Sequence, residues 1–94
     1  MEISDNQFLR QFEAKINGNL AIIEYSLQER KIFLTKIKFK DIDNNLDSLN
    51  IFIEKVLDTL LERNIRVVPT AAIITKFIRK NSRYKSLLPV GIRI

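Results

Sequence analysis

The sequence predicts an α+β domain, a mixed sheet packed by two helices in the order βββαβα. Three observations carry that expectation. Apolar and polar residues alternate up to an Asn17-Gly18 dipeptide, and an apolar-rich stretch returns from it. A later stretch carries one unbroken apolar stripe at helical spacing. A short apolar run then stops at Pro69 and leads straight into a second helical pattern.

The chain has 94 residues, enough for one modest hydrophobic core, and is read as one domain over 1–94. Residues 1–9 show weak periodicity and are expected to be a loose lead-in. From Arg10, Phe12, Ala14 and Ile16 alternate with Gln11, Glu13 and Lys15, the mark of a half-buried strand. Asn17-Gly18 is a type I′ hairpin signal, because both central residues of that turn need positive φ. Leu20–Leu27 is the return strand, apolar on both faces until Glu24 and therefore expected to be central. After the polar turn Gln28-Glu29-Arg30 comes a third strand, Lys31–Phe39. Phe33, Thr35, Ile37 and Phe39 are expected on one of its faces, and Lys36, Lys38 and Lys40 on the other.

Lys40–Asp47 is a polar loop, and a helix is predicted from about Ser48 to Arg63. Leu49, Phe52, Ile53, Val56, Leu57 and Leu60 form its stripe. Asp47 or Ser48 can cap its start and Asn64 its end. Ile65–Val68 is read as a strand parallel to the third, reached by a right-handed helical crossover. The second helix, about Ala71–Lys80, is expected to bury Ala71, Ile74, Phe77 and Ile78. Asn81-Ser82 ends it, and Tyr84, Leu87 and Leu88 pack back as one more turn. Residues 89–94 form a tail, with Val90–Ile94 as a candidate edge strand.

Composition removes several function classes. The apolar fraction (46%) and charged fraction (29%) are ordinary for a folded domain. No uncharged run nears the roughly 20 residues that span a bilayer, so no membrane is expected as a partner. The acidic, polar start is unlike a signal peptide, and a cytoplasmic location is expected. Without cysteine or histidine there is no disulfide framework, thiolate nucleophile, zinc site or histidine triad. Asp41, Asp43 and Asp47 lack a calcium loop's glycine and closing glutamate, and read as turn formers and caps, so no metal is expected.

The net charge of +5 is unevenly placed. All acids lie at or before Glu62, while the chain from Arg63 onward carries only bases. They are densest at Lys76, Arg79, Lys80, Arg83 and Lys85. Such asymmetry suits an anionic partner, whether nucleic acid, a phosphorylated cofactor or an acidic protein, and equally suits a solvated basic face. Lys36, Lys38 and Lys40 carry the same pair of readings. Glu24, mid-strand, is a general-base candidate if half-buried and otherwise a surface carboxylate. Tyr84 is either a packing residue with a satisfied hydroxyl or a general acid.

Val67-Val68-Pro69-Thr70, Phe77-Ile78, Tyr84 and Leu87-Leu88, with Gly18, Ala21 and Tyr25 in the first hairpin, resemble the small stand-alone branch of the GNAT acetyltransferase superfamily. The resemblance runs from about Gln11 to Leu88. It implies a minimal acetyl-CoA-binding core in which an acceptor amine attacks the thioester directly. The pantetheine arm would follow the backbone near Ile37 and Phe39, with Lys40 and Thr70 beside it. The pyrophosphate would meet the helix start at Asn45, Ser48 and Leu49. Two departures accompany the likeness. Ala71 stands where the family has a cysteine. The family's Arg-Gly-x-Gly-type loop corresponds to Asn44, Asn45, Asp47 and Leu49, without a glycine. Asp41, Asp43 and Asp47 also place negative charge within a Debye length, about 8 Å, of the expected phosphates. The family's third-strand histidine and proline correspond to Lys36 and Lys40. Three functions stand open: an acetyl-CoA-dependent N-acetyltransferase for an unidentified amine, a catalytically degenerate GNAT-like binding or interaction module, and a small basic nucleic-acid-binding protein.

Overall fold

The computed structural model describes every residue, Met1–Ile94. Its strands are β1 Ile3–Asn6, β2 Gln11–Ile16, β3 Asn19–Gln28, β4 Lys31–Lys38 and β5 Arg66–Pro69. Its helices are α1 Leu46–Arg63 and α2 Ala72–Lys80, followed by a 3₁₀ segment, Ser82–Leu87. The strands lie in sequence order, β1 to β4 as an antiparallel meander and β5 parallel to β4. The expected α+β class and mixed sheet are present, with one strand more than predicted.

Turn chemistry sets the first register. Asn17 (φ 52°) and Gly18 (φ 78°) both adopt positive φ and place Ile16 opposite Asn19. Phe12, Ala14, Ile16, Ala21, Ile23 and Tyr25 consequently share one buried face. Onto that face α1 lays Leu49, Phe52, Ile53, Val56, Leu57 and Leu60, all fully buried as their spacing predicts. Asn64 ends α1 in the left-handed conformation (φ 59°), the cap expected of it. Ile74 and Ile78 of α2, with Tyr84 and Leu87 of the 3₁₀ segment, join the same core cluster. Both helices therefore cover one side of the sheet. Glu13, Ile22, Glu24, Phe33 and Val68 point to the other side, where no helix packs. No helix is long and apolar enough to cross a membrane.

Four expectations are corrected. The presumed lead-in contains β1, held by more than its ladder to β2. The Asp5 carboxylate accepts a hydrogen bond from the Tyr25 hydroxyl (2.6 Å) and another from Arg63 (2.7 Å). Those partners are far away in sequence, so local periodicity does not announce the strand. In β4, Leu34 faces Tyr25 but Lys36 faces Glu24, which makes Thr35 an extra, bulged residue. The bulge reverses the side-chain phase: Ile32 and Leu34, not Phe33 and Thr35, enter the core, and half-buried Ile37 rejoins it beyond the bulge. The Thr35 hydroxyl donates to the Glu24 carbonyl (3.2 Å) beside the irregularity.

The third correction is at the start of α1, which begins at Leu46 with Asn45 at the cap position. Asp47 and Ser48 lie inside the first turn, where Asp47 still favours the helix dipole. The Asn45 amide turns away from the helix to donate to the Asp41 carbonyl (2.7 Å). Finally, Val90–Ile94 adds no strand. A turn closed by Ile92 N–H on the Pro89 carbonyl (3.1 Å), with Gly91 at φ 89°, redirects the tail instead.

The β3–β4 turn holds two non-glycine residues in the left-handed region, Glu29 (φ 52°) and Arg30 (φ 67°). That region disfavours a side chain by about 1 kcal/mol or more, partly offset by the chain entropy that glycine adds when unfolded. R30G is therefore expected to raise the unfolding free energy by up to about 1 kcal/mol in a urea titration. A lower midpoint for this variant would contradict the strain assigned to the turn.

Candidate functional site

The site is built around one carbonyl at the end of the β4–β5 pairing. Pro69 has no N–H to donate, and the ladder with β4 stops at Leu34 opposite Pro69. The Leu34 carbonyl instead accepts from the N–H groups of Thr70 (3.1 Å) and Ala71 (3.2 Å) and from the Thr70 hydroxyl (3.1 Å). From the other side, the Thr75 hydroxyl lies within hydrogen-bonding reach of the carbonyls of Pro69 (3.1 Å) and Ala71 (3.2 Å). The corner between β5 and α2 is thereby tied to a single point on β4. Immediately past it, the Thr35 bulge carries β4 onward with β3 alone. Lys36, Ile37 and Lys38 have ladder partners in β3 and none in β5. One backbone edge of β4 is left open there.

Between the loop after β4, the first turns of α1 and the outer face of α2 lies a groove of about 610 Å³. Ile42, Leu46, Ile73 and Phe77 supply its apolar lining. Lys76 and Lys80, one helical turn apart on α2, bring two positive charges to it, and Asp43 brings one negative charge. A shallower hollow of about 480 Å³ adjoins it, sharing Asp43 and Leu46 and adding Asn44, Asn45, Asp47 and Ser48. Side-chain hydrogen bonds hold this loop, from Asn44 to the Asp41 carboxylate (2.9 Å) and from Asn17 to Asn45 (3.3 Å). No group of three or more histidine, cysteine, aspartate or glutamate side chains is arranged to hold a metal ion.

The residues expected from the sequence fall in several places. Asn45 and Ser48 line the hollow at the start of α1. Leu49 does not, because its side chain is fully buried and its N–H is bonded to the Asn45 carbonyl (2.9 Å). Ile37 and Phe39 are half-buried against the core, Lys40 is exposed, and the Thr70 hydroxyl is engaged by Leu34. Ala71 sits at the N-cap of α2, half-buried, not within the helix as expected. Glu24 lies on the uncovered face of the sheet, away from the groove, paired with Lys38 (3.3 Å). Ile42, Leu46 and Ile73 were not anticipated as site residues. Their signal was available: Ile42 and Leu46 are the only apolar residues in an otherwise polar stretch from Lys40 to Ser48.

The basic cluster is likewise divided. Lys76 and Lys80 face the groove, and Arg79 is exposed. Arg83 is committed elsewhere, with its guanidinium 4.3 Å from the centre of the Tyr84 ring and 3.1 Å from Asp58. Tyr84 is fully buried beside Phe77 and donates its hydroxyl to Asp58 (2.8 Å). Burial, reinforced by that hydrogen bond to a carboxylate, pushes the Tyr84 hydroxyl up to about 12. Tyr25 repeats the arrangement with Asp5 and Arg63 and is pushed up to about 12 for the same reasons. At neutral pH these hydroxyls are firmly protonated donors that tie segments of the fold together.

Because both folded values lie above the ordinary 10, the stability they contribute is complete below pH 10. It is lost as pH rises from there through about 12. Far-UV circular dichroism is expected to show stability falling across that window, and Y25F/Y84F should flatten the fall. Y84F alone should lower stability at pH 7 by about 1–2 kcal/mol, since Asp58 loses a donor. Unchanged melting of both variants at pH 7 would remove the tying role. No family model matches the chain, and no curated protein matches it.

Proposed function

We propose that the groove between α1 and α2 binds acetyl-CoA and that the chain is a GNAT-like N-acetyltransferase. The observation that carries this reading is the parting of β4 and β5 after Leu34. There a bulged strand keeps one backbone edge unpaired, at a corner that leads directly into the helix lining the groove. An extended arm with amide groups can use such an edge, because unpaired backbone N–H and C=O groups seek partners. The apolar lining from Ile42, Leu46, Ile73 and Phe77 suits the aliphatic part of the arm. Lys76 and Lys80 can take the phosphate charge that the family's glycine loop would otherwise hold.

Transfer on this reading forms a bond between the acceptor nitrogen and the acetyl carbon and breaks the carbon–sulfur bond. The proton given up by the amine leaves with the thiol product. The contribution of the chain is positioning, which alone can account for a large part of such acceleration. Neither Glu24, on the opposite face and paired with Lys38, nor Tyr84, buried against Asp58, is placed to take that proton. Asp43 and Asp47 moreover set two negative charges beside the expected phosphates. These observations favour a second reading, a catalytically degenerate GNAT-like domain that serves as a binding or interaction module. The nucleic-acid reading draws less support, since Arg83 is tied to Asp58 and no row of exposed aromatics accompanies Lys76 and Lys80.

Isothermal titration tests the cofactor site that the transferase requires. Acetyl-CoA is expected to bind tighter than about 100 μM, roughly −5.5 kcal/mol. K76E/K80E should weaken binding by at least about tenfold, with an unchanged melting curve. Free thiol released in the presence of an amine panel would favour the transferase, and binding without release the module. No heat at millimolar cofactor would sink the transferase and leave the module.

A further inference from the structure

We propose that the end of the sheet carrying the β1–β2 and β3–β4 turns docks peripherally onto an anionic lipid surface, with Phe8 and Leu9 entering the hydrocarbon boundary. The first observation is exposure without an alternative. Phe8 is 92% exposed and Leu9 56% exposed, side by side in the turn Gln7–Arg10. The turn is not slack: Leu9 N–H donates to the Asn6 side chain (3.0 Å), and Tyr25 N–H donates to the Arg10 carbonyl (3.0 Å). Two large apolar side chains are therefore held out from the body of the domain by ordered backbone.

The second observation is what surrounds them. The β-ladder registers bring Asn6 opposite Gln11, Gln11 opposite Glu24, and Gln28 opposite Lys31, which puts both turns at one end of the sheet. Leu27, 45% exposed, adds a third apolar side chain at that end. Arg10, Arg30 and Lys31 are all exposed there, and none takes part in an ion pair. Lys31 in turn pairs in register with Arg66, whose guanidinium bonds only the neutral Ser86 carbonyl. Glu13, which accepts from Asn6 and Gln11 beside the turn, Glu29 and Glu62 are the opposing acids, against Arg10, Arg30, Lys31 and Arg66, and Arg63 is neutralised by Asp5. The balance is positive around an apolar tip.

That combination favours a membrane surface. Basic side chains near an anionic leaflet gain attraction that falls off within a Debye length, while Phe and Leu side chains gain by leaving water at the headgroup boundary. A nucleic acid would use the charges and Phe8 but has no use for Leu9 and Leu27, since base stacking requires aromatic platforms. No membrane was expected from the sequence because nothing in it spans one. Lying on a surface needs no span.

The test uses the whole chain and vesicles of phosphatidylcholine, alone or with about 30% phosphatidylserine, in a sedimentation assay. Binding is expected on the anionic vesicles only, weakening as salt rises. F8S/L9S should reduce it by about tenfold or more, and R30E/K31E should reduce it as well. Because Phe8 and Leu9 are exposed, F8S/L9S should melt like the parent protein. F8W, the only tryptophan in that variant, should shift its emission to the blue on anionic vesicles. Equal sedimentation with both vesicle types would overturn the proposal, as would binding indifferent to F8S/L9S. So would an oligonucleotide shift or a dimer that F8S/L9S abolishes while anionic vesicles bind nothing.

Discussion

The stripe of α1 against a sheet covered on one side is the contact on which the rest of this small domain depends. Leu49, Phe52, Ile53, Val56, Leu57 and Leu60 are all removed from water, and the strand residues they meet come from a single face. At roughly 1.5–3 kcal/mol for each large apolar side chain buried, this contact is a large favourable contribution in a chain of this length. A sheet covered on one face tolerates no register slip in the strands beneath α1, because a shift by one residue would send the whole buried set to the wrong side. The Asn17-Gly18 turn enforces that register locally. The Tyr25–Asp5–Arg63 cluster supports it at a distance by joining β1, β3 and the end of α1, while the Tyr84–Asp58–Arg83 cluster ties α1 to the 3₁₀ segment.

The candidate site exists because β4 has two duties. Up to Leu34 it must pair with both neighbours and feed the core, while beyond Thr35 it leaves β5 behind. A bulge reconciles the two by changing the twist and the side-chain phase in one step. Pro69 then ends the parallel ladder at the same level, and the Leu34 carbonyl gathers the freed donors of Thr70 and Ala71. The groove and its charges follow from where α2 must start. Ile74 and Ile78 turn into the core, so Lys76 and Lys80, on a different side of the same helix, line the groove.

Several features of the site were legible from residue order. The proline corner, the basic face of α2 and the acidic loop before α1 are all visible as strings of residues, and each lies where its string implies. Their relations were not visible. Glu24 resembles a general-base candidate until Lys38 and the uncovered face account for it. Arg83 counts as one of five free bases until Asp58 and the Tyr84 ring claim it. Leu49 belongs by position to an expected phosphate site and by burial to the core. Phe8 looks like any lead-in apolar residue, and only the ordered turn shows that it has nowhere in the fold to go.

The sequence by itself determined the α+β class, the hairpin at Asn17-Gly18, the buried stripe of α1, its Asn64 cap and the strand–proline–helix corner. These depend on periods of two and 3.6 residues and on backbone preferences that act within a few positions. Tertiary structure alone decided that residues Ile3–Asn6 form a strand, that Thr35 bulges and reverses the face of β4, and that both tyrosines act as buried ties. Each of those draws on partners 11 to 58 residues apart, between Thr35 and Glu24 at the near end and Arg63 and Asp5 at the far end. Local pattern carries no information about such pairs, since their geometry arises only once the sheet and α1 have come together.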